Sequence, residues 1–472
     1  MRRLIAAAVA ALVAVPVVAQ DTSIPGAVAF ETSVLVSGLK GPWEITWGPD
    51  DMLWVTERTA GRIDRIDPKT GDKRVAITLP DVVANSGQDG LLGLALDPGL
   101  GKGQDVVYAF YTYQDMTRPA DPTVTDPKSP FLHEYSRVVR LSYDAGSGVL
   151  KDPATLIEGL PAGSDHDSGR MKIGPDGKLY LTLGDQGNDQ LNNYCIPIQA
   201  QRLPTADELA AGDYFAYQGK SLRMNLDGSV PDDNPVLNGV RSHVFTYGHR
   251  NMQGIAFGPD GTLYASEQGP KTDDEVNILL PGGNYGWPHV AGFQDDKAYQ
   301  YARWAESTKG CDKIGFSDIT IDASVPREDE TAWPGPFVPP LATLFAVPTG
   351  WNFEDAACNG MNFICWPTVA ASSIEVYDGG IPGFDHALLV TALKRGSLYR
   401  LALSADGKTV TGPVERYFQT DNRYRDLAVS PDGRRIYVAT DPGGLHEAVA
   451  GGVSNEVANE GAILVFAYKG GN

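Results

Sequence analysis

Residues 164–187 read SDHDSGRMKIGPDGKLYLTLGDQG, and they place His166 between Asp165 and Asp167 just ahead of a strand-like segment. Histidine accepts a proton near neutral pH better than any other side chain, and an adjacent carboxylate holds its tautomer and raises its basicity. Asp165 and Asp167 are both candidates for that partner. The same stretch also reads as a Ser/Asp-rich turn with an exposed histidine, and these residues alone leave both readings open.

A second stretch, SEQGPKTDDEVNILLPGGNYGWPHVAGFQDD (266–296), turns sharply at Gly269-Pro270 and so exposes carbonyl oxygens. Asp273, Asp274, Glu275, Asp295 and Asp296 add carboxylates nearby. Calcium takes six to eight such hard oxygens, although the run lacks EF-hand spacing and also fits a solvated acidic face. Basic residues mark three further segments: Arg250-Asn251 in YGHRNMQG, Lys394-Arg395 in TALKRGSLYR, and Arg423 with Arg425 in DNRYRD. Arginine grips carboxylates bidentately, so these cations suit either one polyanion or scattered pairing with surface acids. GQDGLLGLALDP (87–98) puts Gln88 and Asp89 at a turn before an apolar strand, and CNGMNFICWP (358–367) presents Trp366. Amide and aromatic side chains of this kind bind sugars or simply pack.

The elements that must position these residues follow from a repeated phrase. WGPDDMLWVTE (47–57), IGPDGKLYLTLGD (173–185), FGPDGTLYASEQG (257–269) and SPDGRRIYVATD (430–441) each place a Pro-Asp turn before an alternating apolar strand. Proline presets such a turn and glycine supplies positive φ, so the phrase predicts a hairpin. The first three copies start 126 and 84 residues apart, both multiples of 42, which suits propeller blades of about 40–45 residues. An open all-β sandwich is the alternative, but ring closure removes exposed sheet edges from a chain with so many strands. PTADELAAG (204–212) predicts one short helix begun by a Thr or Asp cap. No low-complexity linker divides the chain, so residues 20–472 are expected to form one domain with long inserted loops.

Composition sets the setting. Arg2-Arg3, the apolar run Leu4–Val18 and the small-residue ending at Ala19 predict a secretory leader over residues 1–19. No other apolar run is long enough to span a membrane, so export to the periplasm or medium is expected. With 59 acidic against 39 basic residues, net −20, the chain should repel nucleic acid and anionic membranes. Four cysteines in an exported chain suggest disulfides. Of the three pairings, Cys358 with Cys365 closes one tight loop, which leaves Cys195 with Cys311.

Together the phrases GQDGLLGLALDP, SDHDSGRMKIGPDGKLYLTLGDQG, GHRNMQG, SEQGPKTDDEVN, GGNYGWPHVAG, FICWPTVA, LKRG and NRYRD resemble the soluble quinoprotein glucose dehydrogenases of the glucose/sorbosone dehydrogenase family. They occur in family order from about Leu35 to Tyr468. The resemblance implies a six-bladed β-propeller that uses pyrroloquinoline quinone (PQQ) and calcium to oxidise aldoses at C1 to lactones. It further implies a homodimer and an external electron acceptor.

By the same resemblance, His166 takes the proton of the C1 hydroxyl, Asp165 orients it and contacts the sugar, and Gln88 lies beside them. Arg250 and Asn251 hold the quinone carbonyls, while Lys394, Arg423 and Arg425 pair with the cofactor's carboxylates. The carbonyls of Gly269 and Pro270 hold the active-site calcium. Glu275, Tyr285, Ala291, Phe293, Asp295 and Glu330 match the family's structural calcium sites, with Glu330 aligned through Trp333. Phe363 stands where glucose-oxidising members carry tyrosine, which removes one hydroxyl near the sugar, and the Cys195–Cys311 pair is an addition to the family plan. The competing readings are a PQQ enzyme for a sorbosone-like aldehyde, a calcium-dependent lactonase that would leave Lys394, Arg423 and Arg425 unemployed, and a non-catalytic carbohydrate-binding propeller.

Overall fold

The computed structural model describes residues 22–23 and 28–470 apart from Ser86 and Thr125, so the leader expected over residues 1–19 lies outside the described residues. Six sheets of four principal antiparallel strands follow one another around an axis. From the inside outwards, blade 1 is Pro42–Trp47, Leu53–Glu57, Arg62–Ile66 and Lys73–Thr78, and blade 2 is Leu91–Leu96, Val106–Gln114, Glu134–Asp144 and Val149–Leu160. Blade 3 is Met171–Ile173, Leu179–Leu183, Lys220–Met224 and Val244–Tyr247; blade 4 is Met252–Phe257, Leu263–Glu267, Glu275–Ile278 and Ala342–Thr343. Blade 5 holds Ala371–Tyr377, Ala387–Ala392, Ser397–Ala402 and Glu415–Tyr417. Blade 6 begins with Tyr424–Val429, Arg435–Thr440 and Ile463–Tyr468, and the early strand Phe30–Val36 supplies its outer edge. An early strand and the last described strand therefore share one sheet, which locks the ring.

The four copies of the repeated phrase make the turn between first and second strands of blades 1, 3, 4 and 6. Their spacing does not count blades: 126 residues span two blades and 84 span one. Insertions add the difference, because a loop can grow at a rim at small entropic cost. The alternating pattern of the strands also understates their burial. In Leu179–Leu183 every residue is buried, since neighbouring blades cover both faces. The polar members are satisfied inside; Thr56, for example, accepts from the Glu44 amide at 2.9 Å and donates to the Leu92 carbonyl at 2.8 Å.

One side chain ties the ring at its axis. The guanidinium of Arg170, 1% exposed, donates to Glu44 at 2.7 Å, to Asp426 at 2.8 Å, and to the carbonyls of Gln253 (2.9 Å) and Ser372 (3.2 Å). It also lies 4.1 Å over the ring of Trp43. These partners belong to blades 1, 4, 5 and 6, so a single buried cation joins the inner strands from across the channel.

Two short α-helices occur among the described residues. Ala206–Ala211 carries the expected cap, a capping box between Thr205 and Glu208, and ends at Gly212 in the left-handed region. Asn362–Cys365 lies in the loop between blades 4 and 5. Both expected disulfides are formed, Cys195–Cys311 and Cys358–Cys365, as suits an oxidising compartment. Among the described residues no helix is long and apolar enough to cross a membrane.

Candidate active site

Alternating strand direction puts the loop after each blade's second strand and the loop after its fourth on the same face. Eleven of the candidate residues lie on those loops or at the strand ends beside them, around a cavity of about 650 Å³. It collects Gln88, Asp165, His166, Arg250, Gly269, Pro270, Phe363, Trp366, Lys394, Arg423 and Arg425 from turns spread over 338 positions of sequence.

His166 is 4% exposed and sits in the left-handed backbone region at φ 52°. Its Nδ1 lies 2.6 Å from Oδ1 of Asp185, a fully buried carboxylate that also accepts from Trp287 Nε1 at 2.8 Å and from the Gly187 amide at 2.9 Å. A carboxylate at that position accepts from Nδ1–H, which fixes the tautomer and leaves Nε2 bare. Asp165, expected to orient the ring, instead lies 3.9 Å from Nε2 and accepts a hydrogen bond from the Gln88 amide. The orienting carboxylate is Asp185, because only the strand Leu179–Leu183 ends directly behind the imidazole.

Gln190 spans the cavity floor between Nε2 of His166 (3.3 Å) and the Arg250 guanidinium (2.6 Å). Arg250 also donates to the Gln268 carbonyl at 3.1 Å and lies 5.5 Å over Trp287. Asn251 is fully buried behind the wall, where its amide donates to Gln268 Oε1 at 3.1 Å and its carbonyl accepts from Ser168 and Gln253. It braces the lining instead of forming it.

Opposite the histidine, Arg425 forks onto Asp441 at 2.8 and 2.9 Å, and Arg423 shares that carboxylate at 3.4 Å. Arg58 borders the same corner and spends its donors on the carbonyls of Gly87 and Asp89. Burial pushes the Arg58 and Arg423 guanidiniums below their usual range, with the Arg425 charge adding to the effect. The paired arginines in turn hold Asp441 below its ordinary value, against the opposing pull of burial. Lys394 is also lowered by burial, with Asp274 opposing; its Nζ reaches only the Trp366 carbonyl (3.2 Å) and Thr368 Oγ1 (2.8 Å).

The expected structural calcium residues lie apart from the cavity, around the third strand of blade 4. Glu275 accepts from the Gly292 amide at 2.7 Å, and Glu330 accepts from the Ala291 and Asp296 amides, both at 3.0 Å. Asp295 pairs with Lys297 at 2.7 Å, Phe293 is half-buried, and the Tyr285 hydroxyl donates to the Ile278 carbonyl at 2.5 Å. Burial raises Glu275 well above its ordinary value, Asp273 to about 7 and Glu330 to about 8. Among the described residues no three carboxylate, histidine or cysteine side chains converge in a metal-ready arrangement.

Sequence reading passed over Asp185, Asp441, Arg58, Gln190 and Asp318. The repeated phrase held the signal for the first two, since each of its copies carries an acid at or just after the end of its second strand: Glu57, Asp185, Glu267 and Asp441. Glu57 takes Arg62 at 2.9 Å, Glu267 takes His249 Nδ1 at 2.8 Å, and the other two hold His166 and the arginine pair.

Fold and site define a six-bladed propeller with one large cavity at its axis, furnished with a carboxylate-held histidine and a surplus of buried cations. The family model described as Glucose / Sorbosone dehydrogenase matches residues 39–313 and 355–447. Quinoprotein glucose dehydrogenase B of Acinetobacter calcoaceticus is 44% identical over 446 residues, covering 93% of this chain and 91% of its own. An aldose sugar dehydrogenase of Escherichia coli is 27% identical over 414 residues, with 86% and 89% covered. The solved PQQ-bound aldose sugar dehydrogenase of Streptomyces coelicolor superposes with a TM-score of 0.60 at 26% identity, covering 94% of this chain and all of that one. This protein belongs to the glucose/sorbosone dehydrogenase family, and it is an oxidoreductase.

Proposed function

We propose that the protein oxidises aldose sugars at C1 to the lactone with PQQ and calcium, and passes the electrons to an external acceptor. The observation that carries this reading is the meeting, in one cavity, of a histidine held by Asp185 and cations that protein acids leave uncompensated. Arg423 and Arg425 share a single carboxylate, Asp441, Arg58 bonds only to carbonyls there although Asp441, Asp89 and Asp167 lie within electrostatic reach, and among the described residues Arg250 Nε is buried without an acceptor. A cofactor with three carboxylates and an o-quinone suits that surplus. When bound, PQQ supplies the hydride acceptor and calcium polarises its quinone.

This chain's own residues do the rest. Lys394, Arg423 and Arg425 would hold the cofactor's carboxylates, Arg250 its carbonyl edge with Asn251 bracing the wall behind it, and the Gly269 and Pro270 carbonyls the calcium. Glu275, Tyr285, Ala291, Phe293, Asp295 and Glu330 would hold structural calcium, a role that would stabilise their raised carboxyls in the charged form. Nε2 of His166 accepts the proton of the C1 hydroxyl, and Asp185 stabilises the imidazolium that forms. Asp165 and Gln88 accept and donate hydrogen bonds to the sugar, and Trp366 offers it an aromatic face. Phe363, 46% exposed, offers no hydroxyl, which favours an aldose dehydrogenase of its own sugar preference over strict glucose selection. We place the enzyme in the periplasm or medium, as a homodimer.

Dye reduction by the purified protein, with a panel of aldoses and with PQQ and calcium added separately and together, tests this reading. Activity that requires both is the expected result. No activity with any aldose, and no PQQ-induced absorbance change, would leave a propeller that binds or hydrolyses.

A further inference from the structure

Beside the main cavity lies a smaller one of about 70 Å³, and the two share Gln190, Pro270 and Asp318. Asp318 ends a strap, residues 304–318, whose first ten residues fall inside the family match and whose last five, Asp318 included, lie beyond its break at residue 313. The strap belongs to the insertion 279–341, which leaves blade 4 on the far face. It returns by running parallel to the outer strand of blade 3, with Tyr285 N donating to the Tyr247 carbonyl at 2.9 Å and Trp287 N to the Gly248 carbonyl at 3.0 Å.

Its seat beside the histidine is built from several independent contacts. Cys195–Cys311 ties it to the loop that carries Gln190. The Ala305 amide donates to Asp189 at 3.0 Å, and the Tyr194 hydroxyl donates to the Ile314 carbonyl at 2.9 Å. Tyr194, Trp304 and Phe316 pack on one another at 5.0–6.1 Å. Finally, Lys271 Nζ donates to the backbone carbonyl of Asp318 at 2.6 Å while lying over the ring of Phe353.

That last contact fixes the Asp318 backbone and leaves its carboxylate unspent. Among the described residues the carboxylate accepts no hydrogen bond and forms no close ion pair, and the residue is half-buried at the cavity wall within the electrostatic reach of Lys271 and Arg250. A held carboxylate with free lone pairs accepts from hydroxyl or ammonium donors and repels another carboxylate. Asp165 stands on the same cavity, beside His166.

We propose that Asp318 is a sugar-binding carboxylate delivered by the disulfide-tethered strap, and that with Asp165 it selects neutral and amino aldoses over uronic acids. This inference rests on the aldose reading of the cavity and names the substrates that cavity prefers. Lys394, Arg423 and Arg425 line the cofactor's part of the same cavity, and Asp165 and Asp318 add negative charge on the histidine's side, against the positive charge of Arg250.

The test compares wild type with Asp318→Asn in the reconstituted enzyme, using glucose, protonated glucosamine and glucuronate as probes. In the variant, kcat/KM for glucosamine relative to glucose should fall about 3- to 10-fold, and that for glucuronate should rise by a similar factor, the scale of one partly solvated charge contact. Tryptophan fluorescence titrations of the cofactor-free protein should shift the three dissociation constants in the same order without turnover. Cys195→Ser/Cys311→Ser should move the ratios the same way by loosening the strap. Ratios and dissociation constants unchanged in Asp318→Asn would overturn the role of Asp318, and unchanged ratios in the cysteine variant would overturn that of the tether. If wild type oxidises no aldose, the proposed function falls by itself, while the fluorescence order still decides whether Asp318 discriminates sugars.

Discussion

Nδ1 of His166 lies 2.6 Å from Oδ1 of Asp185, although 19 positions and two strands of blade 3 separate them in sequence. In the proposed reaction the pair makes Nε2 the proton acceptor and buries the compensating charge behind the ring. Asp185→Asn would present an amide that donates or accepts at Nδ1 and so frees the wrong tautomer. We expect kcat to fall on the order of 10²–10³-fold with little change in KM, and His166→Ala to fall by 10²–10⁴-fold with PQQ still bound. Asp165→Asn should act mainly on KM. Single-turnover cofactor reduction separates these effects, and a larger kcat loss in Asp165→Asn than in Asp185→Asn would reverse the assignment.

Arg423 offers its guanidinium to the cavity while holding Asp441 only at 3.4 Å, whereas Arg425 forks onto that acid. Arg423→Ala should therefore weaken PQQ retention by roughly 10- to 100-fold, the worth of one charge-assisted contact, and leave the fold intact through Arg425. Cofactor stoichiometry after gel filtration and an absorbance titration measure it. Unchanged affinity would remove Arg423 from the cofactor's grip.

Arg170 compensates Glu44 and Asp426 at the axis, and all three are buried. Arg170→Leu leaves Asp426 without its paired cation and Glu44 with only Lys172, at 3.7 Å, and should destabilise the ring by about 3–5 kcal/mol. Adding Glu44→Gln and Asp426→Asn should recover part of that loss. Urea unfolding of the single and triple variants reads the difference; a triple variant no more stable than the single would show that the hydrogen-bond geometry, and not the charge, is what matters.

Glu134 is 1% exposed, with Oε1 unpartnered among the described residues, and its carboxyl is pushed up to about 9 by burial and, secondarily, by Asp89. Its folded-state pKa lies above the unfolded 4.5, so the folded protein binds the extra proton. The neutral acid is fully accommodated below the unfolded value, and the stability it confers is lost progressively as pH rises from there towards about 9. Glu134→Gln keeps the acceptor for Asn85 Nδ2, now at 2.8 Å from Oε2, without that loss. The variant should match wild type near pH 5 and exceed it by roughly 1–3 kcal/mol near pH 8. Melting curves at the two pH values decide it, since an equal difference at both would mean that Glu134 does not titrate in this window.

Much of this molecule follows from local sequence. Pro-Asp turns with alternating apolar runs set the hairpins, Thr205 and Glu208 set the start of the one capped helix, and the ordered motifs carried the family and most of the cavity's residues. Such features need only neighbours along the chain. Tertiary structure alone decided the rest. Insertions hid the blade count that the phrase spacing suggested, and blade-on-blade packing buried both faces of strands whose pattern implied one wet face. Asp185 replaced Asp165 behind His166 because the end of a strand, and not the next residue, points at Nδ1. The insertion 279–341 reached the cavity by pairing with blade 3, and the Arg170 partners lie 126 and 256 positions away. Those contacts depend on ring closure, which brings together residues that no local periodicity relates.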